Sequence, residues 1–333
     1  MAALSLARRA ERAAPSFVQE VFSPGILGAL ERVRQRARTA SGERPGHTVV
    51  RGRSDSSGTE IERHTPYAPG DDLRRIDWNS YARLGELLTR RFVAEREVPV
   101  WIVIDASGSM GPPGPGSKLD MAAAIAAIVS TVSLAGGDRV YLGAASGGAA
   151  ATGAKAGTTA ALAGGGELRR IGPLRARRSL TELRAFLTSL GPSGGPADLA
   201  AAADVALRDI RRGLVFLISD FLVERPALER VLDVIRTRRC EGKIVQVLSR
   251  EDRDPTWLTG RDTLVDRETG DVLEIDPSPE TLHRYEAAIA QQIEAVSAAA
   301  AGRGMLSALT VSDIGLRTFL RGELPRLGLR LVR

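Results

Sequence analysis

Four short runs are almost wholly apolar and rich in β-branched residues: "VPVWIVID" at 98–105, "RVYLGAAS" at 139–146, "GLVFLISD" at 213–220 and "GKIVQVLS" at 242–249. Each is bounded by Gly, Asp or Ser. A strand with one wet face would alternate apolar and polar positions, whereas a strand covered on both faces has no polar side to show, so these runs predict buried strands. Helical spacing between them predicts helices over Leu119–Leu134, Leu180–Leu190, Asp198–Arg211 and Pro226–Arg238. Strands alternating with helices predict an α/β fold with a doubly wound, mostly parallel sheet.

The flanks read differently. Apolar residues at helical spacing from Phe22 to Ala40, with Ser23-Pro24 as a start signal, predict a helix. A polar stretch follows, then the segment "YAPGDDLRRIDWNSYARLGELLTRRFVAEREV". Residues Gly143 to Gly166 are dominated by Gly and Ala and predict a loop, with an edge strand near "ELRRIGPL". Beyond Arg250, "TLVDRETGDVLEID" predicts a hairpin turning at Thr269-Gly270, and Pro279 to Ala301 a long helix. "LSALTVS", a short helix and "LGLRLVR" close the chain as one more α/β unit. The expected organisation is an N-terminal helix and special segment over 1–97, a sheet domain over 98–252, and a C-terminal hairpin with an α/β extension over 253–333.

Composition narrows the function classes. A chain of 333 residues with 43% hydrophobic content buries a substantial core. No apolar run approaches the roughly 18 to 20 residues that span a bilayer, and early charges in "MAALSLARRAERAAPSF" do not suit a secretory signal, so a cytoplasmic location is expected. The single Cys240 excludes an internal disulfide framework. A net charge of +6 invites a nucleic-acid reading. The arginines, however, are interleaved with acids, and aromatics make up only 4%, so no basic face with stacking rings emerges and no nucleic-acid partner is expected. Only Lys118, Lys155 and Lys243 are lysines. There is no phosphate loop, because "GPPGPGSK" carries its Ser and Lys in the wrong order.

The candidate chemistry sits at two strand ends. "VWIVID" and "LVFLISD" each finish on an aspartate, Asp105 and Asp220. In a parallel sheet both come to the C-terminal edge, where doubly wound folds place their ligand crevice. Two neighbouring carboxylates repel unless a cation or proton intervenes. With hydroxyls from Ser107 and Ser109, the donor set suits a hard cation such as Mg²⁺, with Mn²⁺ or Ca²⁺ as alternatives. Ser107 as a nucleophile is disfavoured: "ASGSMG" is not a G-x-S-x-G elbow at the right register, and no motif places His47, His64 or His283 to act as its base.

D-x-S-x-S after a buried strand resembles the metal-ion-dependent adhesion site of von Willebrand factor A domains, and "GLVFLISDF" is similar to their later aspartate strand. "YAPGDDLRRIDWNSYARLGELL" resembles the signature of the bacterial family catalogued as domain of unknown function fifty-eight, and the likeness runs from about Ile26 to the C-terminus. The resemblance implies a metal site at Asp105, Ser107, Ser109 and Asp220, and a functional pairing with a MoxR-type AAA+ ATPase. It also implies a third-loop threonine ligand, but here "GGPADL" puts Ala197 at that place, leaving Asp198 to act through water. In the signature, Tyr67, Pro69, Gly70, Asp71, Asp72, Arg74, Arg75, Asp77, Trp78 and Arg83 read as a structural or docking segment in which acids pair with arginines and Trp78 is an apolar anchor. The expected function is a non-enzymatic protein-interaction module. The alternative is a metal-dependent hydrolase or nuclease using Asp105 and Asp220.

Overall fold

The structure, a computed structural model, describes residues 16–30, 60–69, 71, 73–93, 98–111, 116–148, 157–162, 165–210, 212–258, 262–275 and 277–329. The chain divides into two compact units, one of 1–42 with 98–333 and one of 43–97.

In the larger unit the described strands β3 (Pro99–Asp105), β4 (Arg139–Ser146), β5 (Thr158–Ala161), β6 (Glu167–Leu174), β7 (Leu214–Ser219), β8 (Glu241–Leu248) and β11 (Leu306–Val311) form one sheet. Their order is β11-β8-β7-β3-β4-β6-β5. β3 pairs in parallel with β4 on one side and with β7 on the other, so the chain leaves β3 in one direction and later returns to its opposite flank. That is a topological switch point, the place beyond the strand C-termini where doubly wound folds put their ligand crevice. The parallel expectation holds for five strands. The sequence expectation of a loop over Gly143–Gly166 is corrected, because β5 lies within it as the edge strand, and "ELRRIGPL" becomes β6, antiparallel to β4 and β5. β5 is only four residues of Thr and Ala, too short and too weakly apolar to show a period.

Side chains of the central strands alternate between two cores. Val100, Ile102 and Ile104 of β3, with Leu214, Phe216 and Ile218 of β7, pack under α3 (Lys118–Leu134), which also meets α1 (Phe17–Val21) and α4 (Leu180–Thr188). Trp101, Val103, Val215 and Leu217 pack on the opposite face against α5 (Leu199–Ala206), α6 (Arg225–Thr237) and α7 (Pro279–Ala301). All 17 residues of α3 are buried, which is why its sequence shows no polar stripe. The helix expected from Phe22 actually begins earlier: Ser16 caps α1, the chain breaks at Phe22-Ser23, and residues 24–30 resume the helix, with 31–40 outside the described residues. Ser16 Oγ and Phe17 N both donate to the Asp120 carboxylate, at 2.5 and 3.0 Å, which docks this segment on α3.

Helix ends differ by a residue or two from expectation, except that Asp198–Arg211 stops at Ala206. The boundary expected at 252 falls between β8 and β11, which pair in parallel in one sheet. α8 (Leu316–Gly322) follows β11, while 330–333 of "LGLRLVR" lie outside the described residues. β9 (Asp262–Val265) and β10 (Val272–Ile275) form the expected hairpin. No helix of the described residues is long and apolar enough to cross a membrane.

In the smaller unit β1 (Glu60–Pro66) pairs antiparallel with β2 (Leu88–Val93), a pairing the charged sequence concealed. Between them run a 3₁₀ turn at Leu73–Arg75 and α2 (Trp78–Leu84).

Candidate functional site

Because β3 and β7 are parallel neighbours, with Ile104 opposite Ile218, the residues that end them share one rim. Asp105 and Asp220 are both buried there, at 4% and 2% exposure. Asp105 Oδ1 accepts from Ser107 N at 2.9 Å, and its Oδ2 accepts from Ser219 Oγ at 2.6 Å. Among the described residues no lysine, arginine or histidine pairs with it. Burial first, and then the Asp220 charge, push its carboxyl up from 3.8 to about 6, against the lowering effect of the serine hydrogen bonds. Ser107 and Ser109 present their hydroxyls to each other at 3.0 Å.

Asp220 is held differently. Its Oδ2 accepts from Lys118 Nζ at 2.8 Å and its Oδ1 from Leu222 N at 3.2 Å. Lys118 also pairs with Asp252 Oδ2 at 3.0 Å, so one buried ammonium bridges the loop after β7 and the helical turn after β8. Burial pulls the ammonium's pKa down, but Asp220 and Asp252 together outweigh it and leave it above its ordinary value, hence charged at neutrality. The loop after Asp220 is kept in an unusual conformation: Phe221 has φ +51, sparsely populated for a bulky side chain. Ser219 Oγ takes the Phe221 amide, Gln246 holds the Asp220 carbonyl, and Gln292 of α7 donates to the carbonyls of Phe221 and Val223.

The structure brings Asp105, Ser107, Ser109 and Asp220, the four residues the sequence singles out at strand ends, to one rim. The sequence reading missed Lys118, Asp252 and Ser219. Lys118 carried a signal: in a chain whose cations are nearly all arginine, a lysine at the first turn of a helix, where the macrodipole disfavours positive charge, needs a local reason. Asp198 is engaged elsewhere. Its Oδ1 caps α5 by accepting from Ala200 N and Ala201 N. The third loop still reaches the rim, through Ser193 N and Oγ, both donating to the Ala106 carbonyl. Among the described residues no group of three or more His, Cys, Asp and Glu side chains is placed to hold a metal, so any ion here would depend on hydroxyls beside the acids.

In the smaller unit Asp77 is the pivot of the signature segment. Its Oδ1 caps α2 through Asn79 N and Ser80 N, and its Oδ2 lies 2.7 Å from His64 Nε2. Asp71 Oδ2 accepts from Ala68 N in the turn that contains Pro69, and Tyr67 N donates to Leu87 O. Arg83 lies in the last turn of α2, where a cation suits the helix dipole. Arg74 and Arg75 form the 3₁₀ turn, and Gly70 and Asp72 lie outside the described residues. The expected apolar anchor is corrected: Trp78 is 59% exposed and meets Tyr81 edge to face. The tryptophan follows the cap residue directly, so it points from the first turn of α2 while Ile76 on the other side of the cap is the buried one.

The family model described as "Protein of unknown function DUF58" matches residues 63–295. The chain belongs to this family. Uncharacterized proteins of Mycobacterium tuberculosis (Rv1480) and Mycobacterium bovis (Mb1516) are each 32% identical over 232 residues, 66% of this chain and 65% of theirs. The match thus spans just under two thirds of those relatives. Among solved structures, BatB from Bacteroides thetaiotaomicron aligns over 62% of this chain and 99% of its own, at 16% identity and TM-score 0.34. An aerotolerance-related membrane protein from Bacteroides fragilis aligns over 61% and 96%, at 16% identity and TM-score 0.32. Likenesses this distant carry no argument about activity.

Proposed function

We propose that this DUF58 protein is a non-enzymatic, cytoplasmic protein-interaction module, von Willebrand A-like in its sheet domain, whose rim binds a divalent cation and through it an acidic side chain of a protein partner. The observation that carries the reading is the charge balance at the switch point. Among the described residues, Asp105, Asp220 and Asp252 bring three carboxylates to a rim that holds one ammonium, Lys118, and that ammonium bonds the latter two. Asp105 is buried and left against Asp220, and among the described residues no cation pairs with it, so burial first and the Asp220 charge second raise its carboxyl from 3.8 to about 6. The donor chemistry fits Mg²⁺. The Ser107 and Ser109 hydroxyls, which here meet each other at 3.0 Å, are neutral oxygens of the kind that would hold such an ion. When bound, the cation supplies positive charge that a partner carboxylate completes. Ser107 and Ser109 would hold the cation with their hydroxyls, Asp105 and Asp220 would supply the negative charge, and Lys118 keeps Asp220 oriented. A MoxR-type AAA+ ATPase is the partner class we propose, on the family resemblance alone.

The hydrolase or nuclease reading has one observation in its favour, a carboxyl near 6 that lies in the range of a general base. Both of its oxygens already accept hydrogen bonds, however, and the neighbouring lysine is protonated. Thermal melting with Mg²⁺ and with chelator tests the cation site: at about 100 times its dissociation constant, Mg²⁺ adds about 2.7 kcal/mol to wild-type stability and nothing to Asp105→Ala. Equal shifts in both proteins would sink the site. Co-purification with a MoxR-type ATPase, lost in chelator, tests the adaptor role.

A further inference from the structure

The hairpin of β9 and β10 brings its turn onto the same rim. Ser109 N, on the loop that carries both hydroxyls, donates to Glu268 Oε1 at 3.3 Å. Gly108 lies so near the turn that a Cβ there would stand 2.8 Å from the Arg267 carbonyl oxygen, a close approach only glycine permits. The turn is preformed: Asp266 Oδ1 accepts from Glu268 N at 2.7 Å and Thr269 N at 3.2 Å, and Gly270 takes φ +77. Its hold on the rim is slight. Among the described strands β9 and β10 pair only with each other, and Val265, Val272 and Leu273 are each 60% or more exposed. A lone two-stranded hairpin is marginally stable, so lifting it costs little. What the contact delivers is a fourth carboxylate on an already acidic rim, held among the described residues by one long hydrogen bond.

We propose that Glu268 is an internal stand-in for the partner's acidic side chain: its carboxylate takes the place on the rim cation that a docking protein must claim, and the hairpin has to lift before a partner binds. This inference rests on the cation reading above. It identifies the partner's contact as a carboxylate presented from a tight turn, the chemistry that the Asp266–Gly270 tip itself displays. It also makes docking competitive, with the hairpin as the built-in competitor.

Mn²⁺ binding followed by water-proton relaxation tests it on the full chain. Wild type is expected to bind Mn²⁺ with one coordination place taken by Glu268. Glu268→Ala is expected to bind the ion with higher relaxivity, by the share of one more exchangeable water. Glu268→Gln preserves the shape of the turn and serves the same comparison should the alanine chain misfold. Equal relaxivity of the bound ion in wild type and variant overturns the inference and leaves the cation site standing. No Mn²⁺ bound by wild type overturns both.

Discussion

At the scale of single residues, the rim is organised by a lysine among arginines. Lys118 offers a compact ammonium that reaches two carboxylates from different loops, at 2.8 and 3.0 Å, where a planar guanidinium would demand a paired acceptor geometry. Removing one partner of a buried ion pair leaves its counter-charges uncompensated. Lys118→Met is therefore expected to lose about 3 to 5 kcal/mol in urea unfolding with chelator. Added Mg²⁺ should recover more stability in the variant than it adds to wild type, because Asp220 then has no other cation. A loss under about 0.5 kcal/mol, the size of a neutral surface change, would show that the ammonium does not neutralise Asp220. Asp105 and Asp220 were legible from the chain as a set with Ser107 and Ser109, because either acid alone reads as a cap or an ordinary strand end, whereas two acids ending buried apolar runs come to one edge of a parallel sheet. Lys118 and Asp252 were not, since nothing local in "SKLD" or "SREDRD" says which strand end each will face.

At the scale of elements, caps explain residues that spacing alone assigns ambiguously. Asp198 and Asp77 each open a helix by accepting two backbone amides on one oxygen. For Asp198 this cap, made by Oδ1, is the use the structure shows. Asp198→Ala should cost about 1 kcal/mol, the usual worth of an N-cap, while the Mg²⁺-induced rise in melting temperature stays at the wild-type value. A smaller rise in the variant would return Asp198 to the ion's surroundings. The long runs of this fold were legible because full burial erases alternation over many residues at once, as in β3, β7 and α3. β5 was hidden by its small residues, and the β1–β2 pair by its charges. Its strands lie 21 residues apart, with the whole signature segment between them, so no hairpin turn announces the pairing.

At the scale of the whole molecule, the cost of assembling the rim appears as a pH dependence of folding. Asp105 ionises near 3.8 in the unfolded chain and at about 6 in the folded one. A raised acid leaves the native state binding more protons across that window, so its contribution to stability is lost as pH rises from about 4 to above 6. The gap amounts to about 3 kcal/mol. In chelator, wild-type stability relative to Asp105→Asn should fall by about that much between pH 4 and pH 7, measured by urea unfolding, and Mg²⁺ at pH 7 should restore it. A difference that stays flat across the range contradicts the buried, cation-free carboxylate. The sequence by itself determined the sandwich of helices about a mostly parallel sheet, because burial on two faces writes itself into local composition. It also determined that two acids and two hydroxyls belong to strand ends. Only the tertiary structure decided that β7 lies beside β3, that one lysine claims Asp220 and leaves Asp105, and that a hairpin over 150 residues away sets a glutamate on the Ser109 loop. Those are matters of distance between remote segments, and no local run of residues encodes which remote charge it will meet.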